Sequence, residues 1–482
     1  MKRIIIIGGG ITGLATANRL MELSQRSALK FEVTLLESSS KLGGIIKTTH
    51  RDDFLLEHGP DSFISEKPAA LELIKRLGIE SQLLETNKDH RRSFIVRNGK
   101  LRPVPRGFQL IGPSLLWPFI TSDIFSWPGK IRMALDLVLP RRSSSENYDE
   151  SLAQFVRRRL GREALERMAQ PMVAGIYTAD PERLSIRAAM PRFLEMEQAH
   201  RSLILGMLKR SGADTVQTNG TSGARYSLFL SFERGMQTLV DELSLRLPKS
   251  SVRLNSKVSA LRHVAPTGGW TADVDSGASL HADAVCVTVP TYIAASLLRE
   301  TTGTLSEDLA SIAYASTATV NLAYKRADIP HSLDGFGFVI PFIEKRSLIA
   351  CTFSSIKFAR RAPDGYVLLR AFVGGALQPE MFALDETDML RRVQLDLREL
   401  LGVEKSPIFS EVARWPRSMP QYEIGHLERL RRIDDNLAQL PTLKLAGNAY
   451  RGAGIPDCIK SGENAAEAMV SFFETAKEGF SR

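Results

Sequence analysis

The chain has 482 residues, too many for one hydrophobic core, so about two to three domains are expected. Apolar residues make up 43% and charged residues 24%, a balance that excludes a disordered or fibrous chain. Lys and Arg outnumber Asp and Glu by 63 to 54, a formal charge of +9. Over this length that excess is too mild for a nucleic-acid partner, and it suits an anionic substrate or a membrane surface.

Cys286, Cys351 and Cys458 lie far apart. They form neither a disulfide framework nor a metal knuckle, and they point to a reducing, cytoplasmic compartment. The histidines show no H-E-x-x-H pattern, so no metal site is expected. No stretch reaches about 18 uninterrupted apolar residues, and no membrane span is predicted.

In chain order, Ile4 to Ile7 suit a parallel strand buried on both faces. Gly8-x-Gly10-x-x-Gly13 and a helical pattern follow, then a second strand, F-E-V-T-L-L-E, ending in Glu37. Gly8 permits a tight turn, Gly10 lets pyrophosphate approach bare backbone, and Gly13 lets helix and strand pack closely. The helix start offers free N–H groups to phosphate, and Glu37 can accept hydrogen bonds from a ribose. The order of strand, glycines, helix, strand and acid predicts an ADP-containing dinucleotide. Gly43 and Gly44 come soon after the acid-bearing strand, and F-L-L-E-H-G-P-D-S-F occupies 54–63.

Residues 65–80 read as a helix with Ser65 as cap, Pro68 in its first turn and Gly78 as its stop. Asn98-Gly99 predicts a hairpin turn. The proline- and tryptophan-rich stretch 110–140 reads as core, channel wall or membrane-contact surface. Helices broken at Gly161 follow over 150–170, and 211–226 reads as a loop. Short strands are predicted around Val252 and Val258, and a buried strand over 282–290, halted by Pro290, with Cys286 as a small buried hydrophobe. From 311 to 375, strands separated by turns predict a mostly antiparallel sheet. Period two there puts Phe336 and Phe338 on one face. The final helix is expected to begin near Cys458, with Asp457 before it as a cap, and its N-terminus would lower the Cys458 thiol pKa.

The spacing from Glu37 to Gly43-Gly44 resembles the flavin amine-oxidase-like superfamily, in which this pair extends the fingerprint for FAD and a G-P turn approaches the flavin. Four longer stretches carry a closer resemblance: F-I-V-R-N-G-K-L-R-P-V-P (94–105), P-M-V-A-G-I-Y-T-A-D-P-E-R-L-S (171–185), R-W-P-R-S-M-P-Q-Y-E-I-G-H (414–426) and A-G-N-A-Y-R-G-A-G-I-P-D-C-I-K-S-G (446–462). They run in family order across essentially the whole chain, which resembles the oxygen-dependent porphyrinogen oxidases of haem biosynthesis.

That resemblance implies an α/β fold: a Rossmann-like FAD/NAD(P)-binding domain, a substrate domain with a mixed or antiparallel sheet, and a helical insertion. It assigns 1–88, 226–300 and 440–482 to a discontinuous FAD-binding domain. It assigns 89–110 and 301–439 to the substrate domain, and 111–225 to an insertion lining the substrate channel. It implies six-electron oxidation of coproporphyrinogen III or protoporphyrinogen IX, with O2 accepting the electrons and H2O2 leaving. Pro456 looks closer to the coproporphyrinogen branch, whereas G-N-A-Y is shared with the other. The cofactor residues it implies are Gly8, Gly10, Gly13, Glu37, Gly43, Gly44, Gly59, Val258, Trp415, Gly447, Gly454, Ile455 and Asp457.

For the substrate, the same resemblance implies Arg97 against a propionate, Gly175 as bare backbone, and Phe336, Val339 and Phe372 as walls. No catalytic nucleophile is expected, because the flavin carries the redox chemistry. The tetrapyrrole and O2 are the implied partners, with transient contact to a haem-pathway enzyme such as a ferrochelatase and peripheral membrane contact as further expectations. An amine- or carotenoid-oxidising flavoenzyme is the competing reading, as is a redox-inactive FAD protein that carries porphyrin. A carotenoid desaturase would lack a motive for Arg97. An amine oxidase would want a second cage ring beside Tyr450, where Asn448 and Ala449 stand.

Overall fold

The computed structural model describes residues 1–27, 29–142, 149–214, 229–264 and 269–480. Most of the loop expected at 211–226, from 215 onward, lies outside the described residues; 211–214 close the helix Leu203–Asp214.

The isoleucine run becomes the strand Lys2–Ile7 at the centre of a five-stranded parallel sheet, with Ile4 and Ile6 wholly buried. Phe31–Leu36 pairs on one side and Ala284–Val287 on the other; Val252–Arg253 and Leu443–Leu445 form the edges. One face of the parallel sheet packs on helices and the other on the antiparallel strands Val258–Val264, Gly269–Val274 and Ser279–Ala282, and each fully buried aliphatic side chain stabilises it by about 1.5–3 kcal/mol. The last strand therefore carries residues beyond 445 back to the end of the sheet where Gly8 begins its turn. The closing helix Ile455–Phe480 packs on Ile11–Arg26, where Gly462 lies against the Thr12 carbonyl and Thr16 Oγ1 donates to both Thr12 O and Gly462 O.

A second sheet has seven strands, in the order Phe409–Pro420, Tyr314–Lys325, Tyr366–Gly374, Ala350–Phe353, Gly337–Val339, Phe94–Arg97 and Lys100–Pro103. Every neighbour is antiparallel except Gly337–Val339 against Phe94–Arg97, so the sheet is mixed. Pro416 sits in the edge strand, beside a register shift, where a missing N–H costs no ladder bond. One face packs Phe94, Val96 and Phe338 against the helix Glu386–Leu401. The other turns Ile95 toward the helices between 108 and 207.

Those helices enclose a buried ion pair, Arg159 with Asp136, whose carboxylate also accepts from Ser202 Oγ at 2.6 Å and Ile204 N at 3.0 Å. Trp117, Trp127, Ile131 and Val138 stand exposed on the same unit. Among the described residues no helix is long and apolar enough to cross a membrane.

Several boundaries differ from the sequence reading. The helix expected at 65–80 is Pro68–Leu77, with Lys67, not Ser65, at its N-cap position. Proline is pre-organised for the first helical position and fixes the start there. Gly78 ends it in the left-handed region, at φ +69°. Val258 opens an antiparallel three-stranded sheet and lies outside the parallel one. The last helix begins at Ile455, so Asp457 lies within its first turn and does not precede it.

Candidate functional site

The glycines converge at the C-terminal end of the parallel sheet. Gly8 has φ +111°, and a Cβ on Gly13 would collide with the Gly8 carbonyl. Gly43 N donates to Gly9 O at 2.9 Å, and a Cβ on Gly44 would lie 3.3 Å from Gly10 Cα. Glu37 accepts from Gly9 N at 2.7 Å through one carboxylate oxygen and from Ser39 N at 2.7 Å through the other. Val258 is reached through this acid: Asn255 N donates to Ser39 O and Ser256 N to Glu37 O.

From the other end of the chain, Ala446 N donates to Val287 O, and Gly447 N to Ser461 Oγ at 3.1 Å. Gly10 and Gly447 are both bare backbone with nothing within 4 Å of where a Cβ would stand. A cleft edged by open glycines, an acid and a helix N-terminus fits a dinucleotide lying along it.

Asp457 reaches back from the first helical turn to Gly454 N at 3.3 Å and pairs with Lys67 Nζ at 2.7 Å. Ile455 is buried in the core beneath it. Burial pushes the Cys458 thiol up to about 12. This corrects the expectation of a helix-activated thiol, since lost solvation outweighs the helix terminus at a fully enclosed sulfur.

Tyr422, which the sequence reading did not single out, supports this loop. Tyr422 stacks on His426 with ring centroids 4.4 Å apart; its hydroxyl donates to Asn448 O at 2.5 Å and accepts from Gly452 N at 2.9 Å. His426 Nε2 lies 3.2 Å from Tyr450 O. Burial drives the His426 imidazole down to about 4. The folded ring stays neutral where an unfolded one, near 6.5, takes up a proton, so the folded state binds fewer protons between those values. Stability should therefore fall by about 3 kcal/mol as pH drops from 6.5 to 4. His426→Gln should flatten the acid limb of Tm against pH over that window; an unchanged slope would remove His426 as its source.

The substrate candidates gather on one face of the seven-stranded sheet. Ile95 stands opposite Val339, Val339 opposite Ala350, Ala350 opposite Phe372, and Phe372 opposite Thr319. Directly paired residues share a face, so this is one row. Arg97, two residues beyond Ile95, joins the same face; its Nε is buried without a hydrogen bond. Gly175, on the helix Gln170–Tyr177, faces Val339, with 3.6 Å from its Cβ position to Val339 Cγ1. A crevice lined by Ala174, Thr178, Ile340, Ile349 and Gly374 runs beside them.

Phe336 is not one of the paired positions of this row. It precedes the strand, is 3% exposed, and is followed by Gly337 at φ +137°, while Phe338 packs on the opposite face. At the far end of the row, Trp415 Nε1 donates to His58 O at 2.8 Å, beside Gly59. A Cβ on Gly59 would collide with the Ile45 carbonyl, so the G-P turn lies directly against the segment after Gly44. Among the described residues no cluster of His, Cys, Asp and Glu could hold a metal ion.

Comparison with known proteins identifies the family. The family profile of flavin-containing amine oxidoreductases matches residues 11–470. Coproporphyrinogen III oxidase of Bacillus subtilis (strain 168) is 36% identical over 98% of each chain. Chloroplastic protoporphyrinogen oxidase of Nicotiana tabacum is 31% identical over 97% of this chain and 85% of its own. A crystal structure from Exiguobacterium sp. 255-15, named as a candidate protoporphyrinogen oxidase, superposes with a TM-score of 0.83 at 31% identity, covering 97% of this chain and 98% of that one. Nearly full-length matches at this identity, over a chain whose glycine cleft opens beside an arginine-edged sheet face, make it a member of the flavin-containing amine oxidoreductases and, within them, of the porphyrinogen oxidases.

Proposed function

We propose that this enzyme is an FAD-dependent coproporphyrinogen III oxidase, converting coproporphyrinogen III to coproporphyrin III at the expense of O2. The observation that carries the choice of substrate is the greater identity to the Bacillus coproporphyrinogen III oxidase, 36% over 98% of this chain, than to the tobacco chloroplast protoporphyrinogen oxidase, 31% over 97% of it. Pro456 supports the same branch. Residues 1–88, 226–300 and 440–482 are read as the FAD-binding domain, 89–110 and 301–439 as the substrate domain, and 111–225 as the channel-lining insertion.

Bound FAD would supply the two-electron acceptor for each oxidation and return the electrons to O2. Gly8, Gly10 and Gly13 would admit its pyrophosphate, with the N–H groups at the start of Ile11–Arg26 facing the charge, and Glu37 and the backbone near Val258 would take its ADP-ribose end. Gly43, Gly44, Gly59, Trp415 and the loop from Gly447 to Asp457 would enclose the rest. The substrate is an apolar ring system rimmed by carboxylates, so it needs an apolar slot with a cation at the edge. Val339, Phe372 and the bare backbone of Gly175 would form the slot, and Arg97 would pair with a propionate and so fix which bridging carbon faces the flavin.

Purified, FAD-loaded protein should be incubated separately with coproporphyrinogen III and protoporphyrinogen IX, and porphyrin fluorescence followed against enzyme-free controls. A higher kcat/KM for coproporphyrinogen is expected. Preference for protoporphyrinogen would reverse the substrate assignment, and no enzyme-dependent fluorescence above the controls with either would overturn the oxidase reading for these substrates.

A further inference from the structure

Four side chains on adjacent strands of the substrate sheet converge on three consecutive backbone carbonyls of the G-P turn. Asn321 Nδ2 donates to Glu57 O at 3.1 Å, Thr319 Oγ1 to His58 O at 2.7 Å, Trp415 Nε1 to His58 O at 2.8 Å, and Arg370 Nη2 to Gly59 O. Asn321 is directly opposite Arg370, and Thr319 directly opposite Phe372, so these donors lie on the face that carries the substrate row. Thr319, Asn321 and Arg370 are all buried, as are Glu57 and His58. On its other side the turn is fixed by His58 N donating to Lys47 O at 2.9 Å and by Gly59 against Ile45. Neither a helix nor a strand requires three successive carbonyls to be taken by side chains from another sheet.

Arg370 also brings charge. Its guanidinium lies over the Phe372 ring, 4.8 Å from the centroid, and its Nη1 is 3.8 Å from Asp61 Oδ2. Lys357 Nζ shares that carboxylate at 2.9 Å. Burial works against the Asp61 charge, yet Lys357 and Arg370 outweigh it and hold the carboxyl well below the usual carboxylate range. Two cations thus face one carboxylate, while Arg370 Nε and Asn321 Oδ1 are buried without a partner. Glu57, the next carboxylate, is buried and accepts from Met236 N at 2.7 Å and Thr48 Oγ1 at 2.8 Å.

We propose that Thr319, Asn321, Arg370 and Trp415 are positioning residues: through the carbonyls of Glu57, His58 and Gly59 the substrate sheet sets the place of the turn beside the flavin, and Arg370 adds there a buried cation that shares the Asp61 carboxylate with Lys357. This rests on the reading above that the Gly59 turn lies against the flavin. One face of one sheet then fixes both the substrate wall, at Phe372, and the turn that meets the cofactor, so the distance between the two partners of the electron transfer is set by strand register. A buried cation favours the more electron-rich, reduced cofactor.

The test uses the FAD-loaded full chain as wild type, Arg370→Met, Arg370→Lys and the double variant Thr319→Val/Trp415→Phe. Flavin content, flavin absorption, midpoint potential, kcat and KM are read for each. Arg370→Met should shift the oxidised/reduced equilibrium about tenfold toward oxidised, about 30 mV for a two-electron couple. Its kcat should fall about tenfold with KM little changed, which is the signature of a group that does not bind substrate. Arg370→Lys should restore the potential while recovering kcat only in part, because an ammonium cannot reproduce the guanidinium contact.

The double variant removes both donors to His58 O without changing charge, and should alter the flavin absorption and kcat at an unchanged potential. A stoichiometrically flavinylated Arg370→Met with wild-type potential and kcat would overturn the proposal. If Arg370→Met does not fold, wild-type flavin absorption and kcat in the double variant would overturn it instead. Wild-type protein that retains no FAD would sink the underlying reading, whereas an active wild type with silent variants would sink the clamp alone.

Discussion

Gly13→Ala is expected to leave the protein free of flavin after purification and several degrees less stable. A Cβ at this position would stand far inside van der Waals contact with the Gly8 carbonyl oxygen. The obstacle is backbone, so no side-chain rotation relieves it. Gly8 cannot move away freely either: its N–H donates to Leu36 O at 2.8 Å, and its carbonyl accepts from Thr288 Oγ1 at 2.9 Å. The helix Ile11–Arg26 must therefore lift from the strand at the point where its first N–H groups face the cleft. Overpacking of this kind costs about 1–3 kcal/mol, and a rigid obstacle places Gly13→Ala toward the upper end.

Gly10→Ala is the informative control. Gly10 has φ −71°, an ordinary value for alanine, and a Cβ there meets nothing in the chain itself. Its Tm should match wild type while its FAD affinity falls by about tenfold or more, since the methyl would occupy the space a pyrophosphate needs. The flavin-to-protein absorbance ratio and a thermal melt decide both variants. Full flavin content in Gly13→Ala would show that the turn yields without harm. Undiminished affinity in Gly10→Ala would show that the dinucleotide takes another path.

The two glycines illustrate what the sequence could and could not say. A run of isoleucines, a glycine spacing and an acid at a strand end each reflect local rules, so the first strand, the turn, the first helix and Glu37 were legible from their residues alone. Local rules also placed the hairpin at Asn98-Gly99 and the helix stop at Gly78. Where two local signals competed, the stronger constraint won: Pro68 set the helix start that Ser65 suggested three residues earlier.

Tertiary contacts left no periodic trace. Nothing near Gly59 announces that Thr319, Asn321, Arg370 and Trp415 will reach the carbonyls beside it, because those donors become neighbours only when three strands pair. The stacking of Tyr422 on His426 was hidden for a different reason: one residue precedes the helix His426–Ala438 and the other begins it, a spacing that fits no simple face rule. Phe336 shows the limit of period two as a guide, because it stands one residue before the strand Gly337–Val339, which Gly337 enters with a positive φ.

Arg97→Gln is expected to raise KM for coproporphyrinogen by about 10- to 100-fold, the range of a charged hydrogen bond worth about 1.5–3 kcal/mol, with little effect on kcat or Tm. The strand Phe94–Arg97 ends at this arginine, and the Asn98-Gly99 turn, with φ +50° and +70°, reverses the chain so that Lys100 stands opposite it. Glu344 holds the turn by accepting from Asn98 N at 2.9 Å and Gly99 N at 3.1 Å, while Arg167, 2.7 Å from Glu344, balances its charge. The hairpin is therefore anchored without any donor from the Arg97 side chain. That side chain has no carboxylate partner among the described residues, and its Nε is buried without a hydrogen bond, so its removal breaks nothing in the fold. Arg97→Lys should recover only part of the loss, because a point charge cannot grip a carboxylate through two parallel bonds. The decisive comparison uses coproporphyrinogen tetramethyl ester, which has the same ring system without the charges. Wild type should lose with the ester about what Arg97→Gln loses with the acid, and the variant should lose little more. Equal KM values for wild type and variant on the acid would remove Arg97 from the substrate site. A large fall in Tm would instead make it a structural residue.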